Sequence, residues 1–276
     1  ESKLSLLLEK LEAVLLDCSP AAAAVSGGVD SMTLAFVARR VLADQVTIYH
    51  AISPAVPSMA TQRVKAYSQV QGWSLTTFNA GEFQDEQYVA NPANRCFFCK
   101  TNLYDSIFEQ IIVNAKAPNV QILSGTNLDD LSDYRPGLKA AEKYAVRHPF
   151  VEAGIDKAGV RALAHEFGLN DIAELPAAPC LSSRVETGIP IEKDKLHFID
   201  KAEIMLREAI TSPTVRCRIR KSGVVIETDL DEYTGLSTQQ QSDLSSEIGV
   251  LAEQYGVSGA ISFEQYQRGS AFLRDE

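Results

Sequence analysis

The segment "AAAAVSGGVDSMTLAFVARRVL", Ala21 to Leu42, constrains the fold more than any other stretch of the chain. A short apolar run breaks at Gly27 and Gly28 and passes, from Ser31, into apolar residues at helical spacing. That is the pattern of a buried strand, a glycine turn and a helix. The unit recurs. Strand patterns at "QVTIYHAIS", "WSLTTFN" and "VQILSGTN" alternate with helical patterns at "TQRVKAYSQVQG" and from the cysteines of "NRCFFCK" to about Asn114. Strands that alternate with helices predict an α/β fold with a parallel, doubly wound sheet and right-handed crossovers. Ahead of it, Leu4, Leu7, Leu8, Leu11, Val14 and Leu15 recur at helical intervals and predict an amphipathic helix packed on these strand–helix units.

After "PAAPCLSSRVETGIP" the pattern changes. A helix is expected from Ile191 to Ile210, strands in "TVRCRIRKSGVVIETD" and "VSGAISFEQY", and a helix in "TQQQSDLSSEIGVLAEQYG" between the last two. This predicts a small C-terminal α+β domain, with residues 1–188 as the first domain and 189–276 as the second.

A chain of 276 residues, 45% apolar and 22% charged, can bury a core large enough for this arrangement. It contains no apolar run of membrane-spanning length, and its N-terminus lacks the basic and apolar regions of a secretion signal, so a cytoplasmic protein is expected. Five cysteines form an odd, sparse set that argues against a disulfide framework and for thiolate chemistry or metal binding. The formal charge of −10 gives no global electrostatic reason to bind nucleic acid.

Ser26, Gly27, Gly28, Val29, Asp30 and Ser31 fall between strand and helix, where free backbone N–H groups and the positive end of the helix dipole make an anion site. The glycines admit a phosphate close to the main chain, the serines donate hydrogen bonds, and Asp30 can hold a magnesium ion beside a pyrophosphate. The loop lacks the lysine of a Walker motif. The string resembles the signature of the PP-loop ATP pyrophosphatase superfamily, which implies an adenine nucleotide alpha hydrolase-like sheet. Members of that superfamily adenylylate a carboxylate or carbonyl, release pyrophosphate, and let a nitrogen or sulfur nucleophile displace AMP. In "SGTNLDDLSDYRPG", which follows a strand, Asp130 and Asp133 should emerge at the carboxyl edge of the sheet, as candidate carboxylates near magnesium and ATP.

Cys96 and Cys99, at i and i+3, share one helix face, and Cys180, in the loop "PAAPCLSSR", is the candidate third thiolate. Three thiolates suit a 4Fe-4S cluster with one iron open, whereas structural zinc normally takes a fourth protein ligand. A redox pair would leave Cys180 without a role, and two buried thiols are the ordinary reading of an isolated pair.

Taken in order, "AVSGGVDS", "NRCFFCK..LY", "SGTN.DD..DYRPG", "PCLSSR" and "TVRCR" resemble the LarE family of ATP-dependent sulfur transferases over nearly the whole chain. The resemblance implies adenylylation of a carboxylate of pyridinium biscarboxylic acid mononucleotide and replacement of oxygen by sulfur, a step in building the nickel-pincer nucleotide cofactor. It implies the three-cysteine subtype, in which Cys96, Cys99 and Cys180 hold a 4Fe-4S cluster that delivers the sulfur, rather than the subtype that sacrifices a single cysteine at the position of Cys180. Glu203 matches a family carboxylate near the active site. Arg216 and Arg218 alternate on one strand face, suited to a substrate phosphate, with Arg184 as a further candidate. Cys217 should point to the opposite face, into the core. "YQRGSAF" only approximates the family's terminal pattern.

The expected cofactors are ATP, Mg2+ and the 4Fe-4S cluster. The expected partner is a carboxylated, nucleotide-like small molecule, with no nucleic acid, no membrane, an unidentified sulfide donor and a homo-oligomeric state implied by the family. Three rival readings are tRNA thiolation by a cluster-containing PP-loop enzyme, amidation, which leaves the cysteines unused, and an ATP-binding redox sensor.

Overall fold

The structure is a computed structural model that describes residues 2–114, 119–132, 136–212, 214–267 and 270. Its elements are, in order, α1 (Lys3–Asp17), β1 (Ala21–Ala24), α2 (Val29–Leu42), β2 (Val46–Ala51), α3 (Ser58–Gln71), β3 (Leu75–Phe78), α4 (Glu86–Val89), α5 (Arg95–Asn114) and β4 (Gln121–Leu123). There follow α6 (Gly137–Lys143), α7 (Pro149–Glu152), α8 (Lys157–Glu166), α9 (Asn170–Ala173), α10 (Lys193–Ala209), β5 (Arg216–Arg220), β6 (Gly223–Thr228), α11 (Leu230–Thr234), α12 (Thr238–Gln254) and β7 (Ala260–Gln265). No helix among the described residues is long and apolar enough to cross a membrane.

The chain forms two compact units, residues 1–82 with 96–178, and residues 83–95 with 179–276. The sequence alone puts the division at 188/189 and gives no hint of the inserted piece. Polar contacts that no local pattern reports tie that piece to the second unit. The Asn91 side chain donates to the carbonyls of Glu186 and Ile189, both at 2.9 Å, and the Tyr88 and Ser182 hydroxyls meet at 2.5 Å.

In the first unit the sheet order is β3-β2-β1-β4, and every pairing is parallel, as expected of an α/β fold. Alternate residues of β1 face opposite ways. Ala21 and Ala23 join the core with Leu11 and Leu15 of α1, Met32 of α2 and Leu163 of α8. Ala22 joins Tyr104 and Ile107 of α5 and Ala140 of α6 on the other face. Four consecutive alanines let helices approach the central strand closely from both sides. The same strand order sets the phosphate loop, which leaves β1, beside the "SGTN" segment, which leaves β4.

The second unit holds a mixed sheet in the order β5-β6-β7, antiparallel in the first pair and parallel in the second. Its core includes Cys217 and Ile226 of the sheet, Leu196 and Phe198 of α10, and Ile248 of α12, all fully buried.

Candidate functional site

The loop from Ser26 to Ser31 turns on Gly27, whose φ is +87°. An added Cβ there would lie 2.8 Å from the Ala60 carbonyl oxygen and 2.9 Å from the Ala60 side chain, so the residue is fixed both by conformation and by the approach of α3. Gly28 occupies the N-cap of α2 and, as a glycine, brings no side chain to cover the first amides of that helix. The hydroxyls of Ser26 and Ser31 meet at 3.2 Å, and the Ser26 N–H donates to Ser31 Oγ at 3.1 Å.

Two side chains brace this loop from α3 and β2. Arg63 donates to the Gly27 carbonyl at 2.7 Å. His50, fully buried, lies 2.7 Å from the Val25 carbonyl through Nδ1 and 2.9 Å from Thr61 Oγ1 through Nε2. The carbonyl can only accept, so Nδ1 carries the proton and Nε2 accepts from Thr61. Burial lowers the His50 pKa below the ordinary histidine value, against the opposing pull of the Val25 carbonyl.

Asp30, in the first turn of α2, accepts from Asn127 Nδ2 at 3.0 Å on one oxygen and is ion-paired with Lys157 on the other. Asn127 caps the turn Leu128–Leu131, and its N–H donates to the buried Asp130 at 3.1 Å. A Cβ at Gly125 would lie 2.8 Å from the Ser31 nitrogen, so the segment after β4 lies directly on the phosphate loop. Asp30 and Asp130 therefore belong to one hydrogen-bonded group. Asp133 lies outside the described residues. Lys157, Arg63 and His50 carry no local signal in the sequence, because their partners are far away along the chain.

In the second unit, Arg184 and Glu203 are both buried and paired, Nε to Oε1 at 2.8 Å and Nη2 to Oε2 at 3.1 Å. Arg207 adds a contact to Glu203 at 2.7 Å, and the Cys217 N–H donates to Glu203 Oε1 at 3.1 Å. Burial opposes ionisation of Glu203, but the charges of Arg184, Arg207 and Arg216 outweigh it and hold the carboxyl below the usual carboxylate range. Arg216 is buried on β5, and its guanidinium lies 5.8 Å from the Tyr266 ring centroid. Burial and the like charge of Arg184 push its pKa down to about 10. Arg218 pairs with the buried Glu227 at 2.6 Å, as does Arg220. Three guanidiniums around Glu203 leave an excess of positive charge, which suits an anion. Cys217 is fully buried on the opposite side of β5, as its place between the arginines predicts. Arg268, in the terminal "YQRGSAF" segment, lies outside the described residues.

Cys96 and Cys99 stand on α5 in the first unit, and Cys180 stands just before the turn Leu181–Arg184 in the second. All three are half-buried cysteines outside any disulfide, a donor set whose chemistry fits iron–sulfur ligation. Among the described residues of either unit, no three His, Cys, Asp or Glu side chains are gathered closely enough to hold a metal ion.

No family model matches the chain. It is 38% identical over 200 residues to an uncharacterized protein of Synechocystis sp., covering 72% of this chain and 73% of that one. It is 30% identical over 218 residues to the pyridinium-3,5-bisthiocarboxylic acid mononucleotide synthase of Lactiplantibacillus plantarum, covering 79% of this chain and 77% of that enzyme. An uncharacterized protein of Methanocaldococcus jannaschii is 27% identical over 209 residues, 75% of this chain and 77% of its own.

Proposed function

Because the chain belongs to the LarE family of pyridinium-3,5-bisthiocarboxylic acid mononucleotide synthases, we propose that it is an ATP-dependent sulfur transferase acting on pyridinium biscarboxylic acid mononucleotide. ATP first adenylylates a substrate carboxylate and releases pyrophosphate. A sulfur nucleophile then displaces AMP, leaving a thiocarboxylate.

The observation that carries the ATP half is the phosphate loop of the first unit, with Gly27 in the left-handed region and Asp30 fixed at both oxygens. The amides at the start of α2 suit a polyphosphate, since they combine free N–H groups with the helix dipole. The Asp30 and Asp130 oxygens are the hard donors that magnesium takes. Lys157 already neutralises Asp30, so binding of magnesium at Asp30 and Asp130 would displace this ammonium and leave it for a phosphate.

In the second unit Arg184, Arg216 and Arg218 supply positive charge for the phosphate of the mononucleotide. Glu203 orients Arg184 and Arg207 and so sets where their remaining N–H groups point. Cys96, Cys99 and Cys180 would hold a 4Fe-4S cluster, which would supply the sulfur that displaces AMP. ATP and magnesium use are drawn from the phosphate loop and the family resemblance together, the cluster and a homo-oligomeric state from the resemblance, and a cytoplasmic setting is proposed alongside them.

The test is anaerobic incubation of the reconstituted protein with Mg-ATP, sulfide and pyridinium biscarboxylic acid mononucleotide. The expected result is pyrophosphate release that depends on the mononucleotide, with a product heavier by the difference between sulfur and oxygen. Pyrophosphate release dependent on tRNA instead would sink the reading in favour of RNA thiolation.

A further inference from the structure

His50 braces the phosphate loop and His148 is tied through Ser124 to the segment that packs on that loop, and their hydrogen bonding separates their roles. Both ring nitrogens of His50 are satisfied, and the side chain is fully buried, as befits a structural group. His148 differs. Its Nδ1 lies 2.7 Å from Ser124 Oγ, its Nε2 has no hydrogen-bond partner among the described residues, and the side chain is only half-buried.

We propose that His148 is a ligand-binding residue of the ATP site, with Ser124 fixing the ring through Nδ1 and Nε2 contacting the phosphate chain of the bound nucleotide. This rests on the proposed ATP site and extends it to a residue that no motif in the chain singles out.

The geometry around the ring carries the inference. Ser124 is the first residue after β4, and its hydroxyl also meets Thr126 Oγ1 at 3.0 Å. The next residue, Gly125, lies against Ser31 with no room for a Cβ, and Asn127 donates to Asp30. The imidazole is therefore tethered to the same short segment that packs on the phosphate loop and holds its aspartate. The charges of Asp130, Lys100 and Glu152 bear on the ring from the turn after β4, from α5 and from α7. Burial lowers the His148 pKa, so the ring is neutral at neutral pH and keeps one nitrogen for Ser124 and one for a ligand. An oriented imidazole with a lysine charge near it is suited to polyphosphate.

The two ring nitrogens can be tested separately, because the Asn amide reaches the place of Nδ1 and the Gln amide that of Nε2. Affinities of the full chain for Mg-ATP and for inorganic pyrophosphate are measured by calorimetry for the wild type, His148→Asn and His148→Gln, with thermal melting alongside. The expected result is binding of both probes weakened about 10- to 100-fold in His148→Asn, with little change in melting, and near-normal binding in His148→Gln. Wild-type affinity in His148→Asn, or equal weakening in both variants, overturns the assignment while leaving the ATP reading intact. A wild-type protein that binds neither probe overturns the ATP reading and this inference together.

Discussion

Arg184 grips Glu203 at two points, Nε to Oε1 at 2.8 Å and Nη2 to Oε2 at 3.1 Å, and both side chains are almost wholly shielded from water. A two-point guanidinium–carboxylate pair fixes orientation as well as charge. Because Arg207 and the Cys217 N–H also reach Glu203, this one carboxylate connects α10 and β5 to the turn that follows Cys180. It is the polar centre of the second unit.

Replacing Glu203 with Gln leaves the buried Arg184 guanidinium without its counter-charge. Breaking a buried pair from one side typically costs about 3–5 kcal/mol. Chemical denaturation of Glu203→Gln is expected to show a loss of that order. A loss below about 1 kcal/mol would mean that Arg184 finds another partner or water.

The response to acid follows from the directions of the pKa shifts. Burial lowers the folded-state value of His50, so its contribution to stability is complete above the unfolded value of 6.5 and declines as pH falls below it. The Glu203 carboxyl is also held below its unfolded value of 4.5, so its contribution is complete above 4.5 and is lost as pH falls further. Stability measured against pH should decline in two stages, and Glu203→Gln should flatten only the lower one. A variant that retains the full decline below 4.5 would show that other carboxylates govern it.

Gly27→Ala meets two obstacles at once, a φ of +87° and the Ala60 main chain at 2.8 Å from the new Cβ. A non-glycine residue held in a sparsely populated backbone region costs about 1–3 kcal/mol. The strain falls on the phosphate loop itself, so loss of ATP binding is expected to exceed what the fall in melting temperature would suggest. A Gly27→Ala protein with normal ATP affinity would show that the loop does not hold the phosphates.

The elements of the first unit were legible because each rests on a local period. The run of alanines before Gly27, the apolar spacing after Ser31 and the polar "SGTN" end of β4 report strand, turn and helix without knowledge of anything distant. Long-range polar contacts left no such trace. Lys157 reaches Asp30 across 127 positions and Asn91 reaches Glu186 across 95, so neither partner could be chosen from spacing. Arg216 and Arg218 were legible as one strand face. Hairpin pairing could have supplied Glu227 as their neighbour, since β5 and β6 set Glu227 directly opposite Arg216.

Asp30→Asn removes the negative charge that Lys157 pairs with and that a magnesium ion would need. Loss of a single well-placed electrostatic group lowers turnover by roughly 100- to 1,000-fold. Pyrophosphate release should fall in that range in both Asp30→Asn and Lys157→Met. Since both partners are partly exposed, the melting temperature should change little. Normal pyrophosphate release in both variants would place the adenylylation chemistry elsewhere.

The five thiols divide by exposure, and that division gives a test of the cluster which does not depend on turnover. Cys96, Cys99 and Cys180 are half-buried, while Cys18 and Cys217 are buried. Burial pushes the Cys18 thiol up to about 11 and raises that of Cys217 well above its ordinary value, so neither presents much thiolate at neutral pH. Native metal-free protein should therefore label at Cys96, Cys99 and Cys180, and label at Cys18 and Cys217 only after denaturation. If the three cysteines hold one cluster, anaerobic reconstitution with iron and sulfide should protect them together, because such a cluster would occupy all three thiolates. Cys99→Ala should lose iron and sulfide while its affinity for Mg-ATP stays close to wild type, since the phosphate loop is built from other residues. Stoichiometric zinc with no iron after anaerobic purification would exclude the cluster. Collapse of ATP affinity in Cys99→Ala would show instead that the cysteines and the phosphate loop are not independent.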